Sequence, residues 1–116
     1  MLVVFDANAM LKNFSGYRSI ADAMLESLQS DLPERMQALA AALAAADLAT
    51  AQREAHTVKG LGGNGGAPRL RDLALEIESC CGAGRLDDAR QRLADLTAEA
   101  GCVLQEWRRF LAGDDQ

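Results

Sequence analysis

The stretch YRSIADAMLESLQSDLPERMQALAAAL, residues 17–43, decides the fold. Its apolar positions Tyr17, Ile20, Met24, Leu28, Leu32, Met36, Leu39 and Leu43 recur in steps of three and four, the spacing that returns side chains to one face of an α-helix. That phase survives Pro33, which deletes one backbone donor and crowds the carbonyl of Gln29, so the expectation is one long helix kinked at the proline. Val, Ile, Tyr, Phe and Trp are few and never alternate with polar residues over a strand length, whereas the helix formers Ala and Leu are abundant. An all-α protein follows.

Working outward, Asp6 is placed to cap a short helix that reaches about Asn13 and stops at Ser15-Gly16, with Phe5, Met10 and Phe14 available to plug one end of a bundle. Asp47 is a candidate N-cap for a helix whose apolar side is Leu48, Ala51, Ala55 and Val58, and Pro68 suits the first turn of the next. That helix carries Leu70, Leu73, Ala74, Ile77 and Cys81 on one face, with Gly82 or Gly84 as its stop. The last begins near Leu86, where Asp87 and Asp88 meet the positive end of its dipole, and its seam is Leu86, Ala89, Leu93, Leu96, Ala100, Val103, Trp107 and Leu111. Four amphipathic helices with short loops pack most simply as an antiparallel up-and-down four-helix bundle, with the short additional N-terminal helix across one end. Residues 1–116 read as one domain without repeat or linker: 1–16 form the short helix and its lead-in, and 113–116 a fraying tail.

With 116 residues, 49% of them hydrophobic and 25% charged, the chain suits one core, and its longest apolar runs fall far short of the roughly 18–20 residues that span a bilayer. The start, Met1 to Asp6, has no basic residue ahead of its apolar stretch, so a cytoplasmic location is expected. A net charge of -5, with Lys and Arg scattered, argues against nucleic acid. Arg69, Arg71, Arg90 and Arg92 read as exposed bundle surface, and Trp107 and the Met residues as core. One His excludes a His-rich metal site, and no metal is assigned to this chain. Cys80, Cys81 and Cys102 read as reduced thiols that act as small apolar fillers, since Cys80 and Cys102 on antiparallel helices would lie about 20 Å apart.

Chemistry concentrates in AHTVKGLGGNGGA, residues 55–67. At about 100° per residue, Leu48, Ala51, Ala55 and Val58 fall to one side of His56, while Ala49, Gln52, Gly60 and Gly63 lie within about 40° of it. His56 therefore faces solvent from a nearly bald patch, with Lys59 three residues on. A neutral imidazole offers a nucleophilic nitrogen, an ammonium attracts phosphoryl oxygens, and small neighbours let another protein's surface approach. Each helical glycine costs about 0.8–1 kcal/mol relative to alanine, so Gly60, Gly62 and Gly63 need a reason, and for Gly62 it is close packing against a neighbouring helix. Gly60-x-Gly62-x-x-Gly65 matches a dinucleotide fingerprint only formally, because no strand precedes it, and no Gly-Lys-Ser or Gly-Lys-Thr follows to make a nucleotide loop.

The pattern His56-x-x-Lys59-Gly60, with Gly66 six residues later, resembles the signature of histidine-containing phosphotransfer (HPt) domains, and the likeness extends from Phe5-Asp6 through Asp31-Leu32-Pro33-Glu34 and Ala46-Asp47-Leu48 to Leu70. The resemblance implies a four-helix bundle in which His56 accepts a phosphoryl group from a receiver-domain aspartate and passes it to another receiver. Lys59 would give electrostatic support, and Ala49, Gln52, Arg53, Gly60 and Gly63 would form the docking face. The partners implied are receiver domains of hybrid sensor kinases and response regulators, with magnesium on the receiver and no cofactor here. A monomer without autonomous kinase activity is expected. Leu61 stands where the family often has Ser, and Gly65 where it often has Leu, which removes an apolar anchor at the helix end. Two alternatives stand beside this reading: an adaptor that binds a receiver without phosphotransfer, and a phosphoacceptor domain excised from a larger chemotaxis-type kinase.

Overall fold

The computed structural model describes residues 2–113. Five helices follow one another: α1 (Ala7–Asn13), α2 (Arg18–Ala44), α3 (Leu48–Asn64), α4 (Pro68–Gly82) and α5 (Leu86–Leu111). Helix α3 packs on α2 and α4, and α5 on α4 and α2, so the four long helices close a ring around one apolar core, with α1 against α2. The 27 residues of α2, at about 1.5 Å each, account for the 41 Å long axis. No helix among the described residues is long and apolar enough to cross a membrane.

Local chemistry explains most boundaries. Asp6 accepts the Ala9 N–H and Asp47 the Thr50 N–H, at 3.0 and 3.1 Å, as N-caps do. Helix α2 runs unbroken through Pro33, which lies on the exposed side of the helix. The turns α2–α3, α3–α4 and α4–α5 are three residues each, and their middle residues Ala46, Gly66 and Gly84 all have positive φ. In each, the following N–H closes a six-residue loop, Asp47 to Ala42, Ala67 to Gly62 and Arg85 to Cys80, at 2.8–2.9 Å. Gly84, not Gly82, is thus the stop of α4. Arg90 donates from Nε to the Leu43 carbonyl at 2.9 Å, satisfying the end of α2 from α5.

The lead-in plugs one end of the ring as expected. Met10 is buried, Phe5 meets Phe110 edge-on at 5.7 Å, and the Asp6 N–H donates to the Gly66 carbonyl at 2.7 Å. Three expectations need correction. Tyr17 and Ile20 are exposed, and Ala21 and Leu25 take their place in the core. Each step of four overshoots a full turn by about 40°, so stepping back from Leu28 to Met24 to Ile20 leaves the buried face, and Tyr17 is the N-cap, outside the helical phase. Cys80 and Cys81 are buried fillers, the Cys81 thiol pushed up by burial and then by its neighbour, but Cys102 is exposed. Of the four arginines read as exposed surface, Arg92 is half-buried on Glu76 at 3.2 Å, whereas Arg69 stays exposed and pairs with Glu99 of α5 at 3.2 Å. Glu99, unforeseen, is only 4% exposed at the edge of the α5 seam. The expected fraying of 113–116 falls, beyond Gly113, outside the described residues.

Candidate functional site

Helix α3 presents two faces. Ala51, Ala55, Val58, Leu61 and Gly62 enter the core, which turns Ala49, Gln52, Arg53, His56, Gly60 and Gly63 outward, as their spacing predicts. The His56 side chain is 65% exposed. Nothing lies within 4 Å of the position a Cβ would take at Gly60, so the surface one turn beyond the imidazole is open.

Helix α4 adds the residue that periodicity did not suggest. Glu78, 17% exposed, places Oε2 2.7 Å from His56 Nδ1 and Oε1 2.8 Å from Lys59 Nζ. Burial pushes the Glu78 carboxyl up, but hydrogen bonds from Lys59 and His56 and their charges outweigh it and hold the group below the usual carboxylate range. An ionised carboxylate only accepts, so Nδ1 donates to Glu78, and in the neutral ring the lone pair lies on Nε2. Lys59, 27% exposed, is therefore not an idle cation but one already matched to a carboxylate.

The contact follows from the hairpin register. Gln52 reaches the space beside Gly82, His56 meets Glu78, and Gly62 abuts the Arg71 backbone, pairs centred within half a residue of position 67 in the α3–α4 turn. A sequence reading that folds residues 48–82 about that turn finds Glu78 opposite His56; single-helix periodicity does not.

The glycines serve several ends. A Cβ at Gly62 would sit 2.9 Å from the Arg71 nitrogen and 3.2 Å from the Ala67 carbonyl, so Gly62 sets the close approach of α4, as expected. Gly66 combines a φ of 69° with a carbonyl that holds the lead-in at Asp6. Helix α3 continues to Asn64 and is capped at Gly65, whose missing side chain leaves room for the Trp107 indole, and Trp107 Nε1 donates to the Gly65 carbonyl at 2.9 Å. The apolar anchor absent at Gly65 is thus supplied from α5. Leu61, the other departure, is buried and exposes no polar group.

Comparison with known proteins then gives two findings. The Hpt domain family matches residues 23–111. The fold matches the HPT domain of an Hpt sensor hybrid histidine kinase from Shewanella, with a TM-score of 0.86 and 24% identity over 95% of both chains. It equally matches histidine-containing phosphotransfer protein B from Pseudomonas aeruginosa PAO1, with a TM-score of 0.86 and 24% identity over 94% of this chain and 95% of that one. No curated protein sequence matches.

Proposed function

The chain belongs to the Hpt domain family, and from that premise we propose that it is a phosphorelay intermediate in two-component signalling, accepting a phosphoryl group at His56 from a receiver-domain aspartate and returning it to the aspartate of another receiver. The observation that supports this most is the His56–Glu78 contact on an otherwise bald, exposed face. Glu78 holds the Nδ1 proton, so the Nε2 lone pair attacks phosphorus, and the bond from phosphorus to the aspartyl oxygen breaks with its electron pair returning to the carboxylate. The positive charge that develops on the ring is stabilised by Glu78. Transfer to the next receiver is the reverse.

Docking would use Ala49, Gln52, Arg53, Gly60 and Gly63, whose small or pliant side chains admit a convex partner to within bonding distance of Nε2. Magnesium belongs with the receiver in this reading, because both oxygens of the carboxylate beside His56 are taken by His56 and Lys59. A cytoplasmic monomer goes with it, each long helix burying its apolar face against the others.

The test is incubation with a panel of phosphorylated receiver domains, scoring acid-labile, base-stable phosphate on the wild-type chain and on His56→Gln. Label on wild type alone is expected, with the melting temperature of the variant unchanged. Label that persists on His56→Gln overturns the assignment, and receivers that bind without labelling the wild type point to the adaptor.

A further inference from the structure

If His56 carries a phosphoryl group, that group brings close to two negative charges to a face whose nearest ammonium is already spoken for: Lys59 Nζ lies 2.8 Å from Glu78 Oε1. The other cations nearby are similarly engaged. Arg35 is held by both oxygens of Glu54, at 2.9 and 3.2 Å, and Arg71 by Asp72 at 3.1 Å. Arg53 differs. It sits one helical turn before His56, it is exposed, and no carboxylate lies within ion-pair distance of it among the described residues.

What Arg53 does touch is neutral, Nη2 donating to the Thr50 hydroxyl at 3.2 Å, while its charge acts on the α3 cap Asp47 from beyond ion-pair distance. Together with Gln52, His56, Thr57 and Glu78 it lines an open concavity of about 390 Å³ beside the imidazole. The Thr57 hydroxyl in that wall donates to the Arg53 carbonyl at 3.0 Å, so it offers no free donor to an incoming anion. A single hydrogen bond to a hydroxyl is weaker than a bidentate, charge-assisted pair with phosphoryl oxygens.

Resting on the phosphotransfer reading, we infer that Arg53 is the phosphoryl-binding cation of this site: its guanidinium leaves Thr50 and takes two oxygens of the phosphoryl group on His56 Nε2. In the transfer itself the Nε2–P bond forms, the bond from phosphorus to the donor breaks with its electron pair staying on the donor, and the Nδ1 proton stays against Glu78. Arg53 makes no covalent bond. It stabilises the oxygens during transfer and in the phosphohistidine.

A donor without a protein surface separates this role from docking. Phosphoramidate delivers its phosphoryl group to Nε2 as the N–P bond of the reagent breaks and ammonia leaves. The full chain is labelled with phosphoramidate as wild type, Arg53→Ala, Arg53→Lys and His56→Gln, and the phosphohistidine resonance is titrated by phosphorus NMR. Arg53→Ala is expected to label about five-fold more slowly, with Arg53→Lys between it and wild type. Loss of the cation should also move the phosphoryl titration up by about half a pH unit, a shift a merely structural role would not produce. Equal labelling rates and superimposed titrations for Arg53→Ala and wild type overturn the inference while leaving His56 as the acceptor. No label on wild type, or label on His56→Gln, instead removes the reading on which it rests.

Discussion

A methyl group added at Gly60 meets nothing within 4 Å, whereas one added at Gly65 runs into the Trp107 indole, with Cε2 2.9 Å away, and comes within 3.1 Å of a Leu28 methyl. Both glycines belong to the same run at the end of α3. One leaves room outside the molecule and the other leaves room inside it. A glycine-rich stretch after a histidine is therefore two devices joined end to end: an open patch beside the imidazole, then a close-packed corner where α3, α4, α5 and the lead-in meet. In the corner the absent side chains are replaced by protein, namely the Arg71 backbone at Gly62, Trp107 at Gly65 and the Asp6 carbonyl at Gly66. On the patch, Gly60 faces nothing this chain supplies, and Gly63 meets only the Arg71 side chain at 3.6 Å.

Alanine substitutions break or sharpen that contrast. Gly65→Ala should be the most damaging, because the indole must move and its hydrogen bond to the Gly65 carbonyl is lost; about 3 kcal/mol of destabilisation is expected from overpacking, measured by urea denaturation. If Gly65→Ala unfolds at the wild-type midpoint, the corner is looser than described. Gly62→Ala should cost about 1–2 kcal/mol on the same assay, since the clash with backbone atoms of α4 is partly offset by the better helix propensity of alanine. For Gly60→Ala the sign reverses: stability should rise by about 0.8 kcal/mol from propensity alone, while receiver-dependent labelling slows because the added methyl stands on the approach. A destabilised Gly60→Ala, or one that takes phosphate from receivers faster than wild type, would place Gly60 with the corner and not with the patch.

Much of this was legible along the chain. The caps Asp6 and Asp47, the N1 proline Pro68, a stop within residues 82–84 and the outward set around His56 follow from side-chain type and spacing along one helix or turn, where these nearly suffice. The α2 seam was legible in its central part and lost toward Tyr17, where small phase errors accumulate and the N-cap leaves helical geometry. Glu78 was illegible from periodicity because its role needs the register between two helices, and Glu99 because the Arg69 that pairs with it comes from another element.

Composition, period and capping chemistry thus determine by themselves that the chain is helical, where the capped helices begin, and that His56 and Gly60 share an exposed face, for these are properties of one helix in water. Which carboxylate meets Nδ1, whether Lys59 is matched, and why Gly65 can stand where a larger residue is common are decided only by the tertiary structure. The α3–α4 turn sets the register that brings Glu78 to His56 and Lys59, and the packing of α5 sets the rotation that brings Trp107 to Gly65. Such contacts join residues 19 to 42 positions apart, and their geometry exists only once the helices have packed.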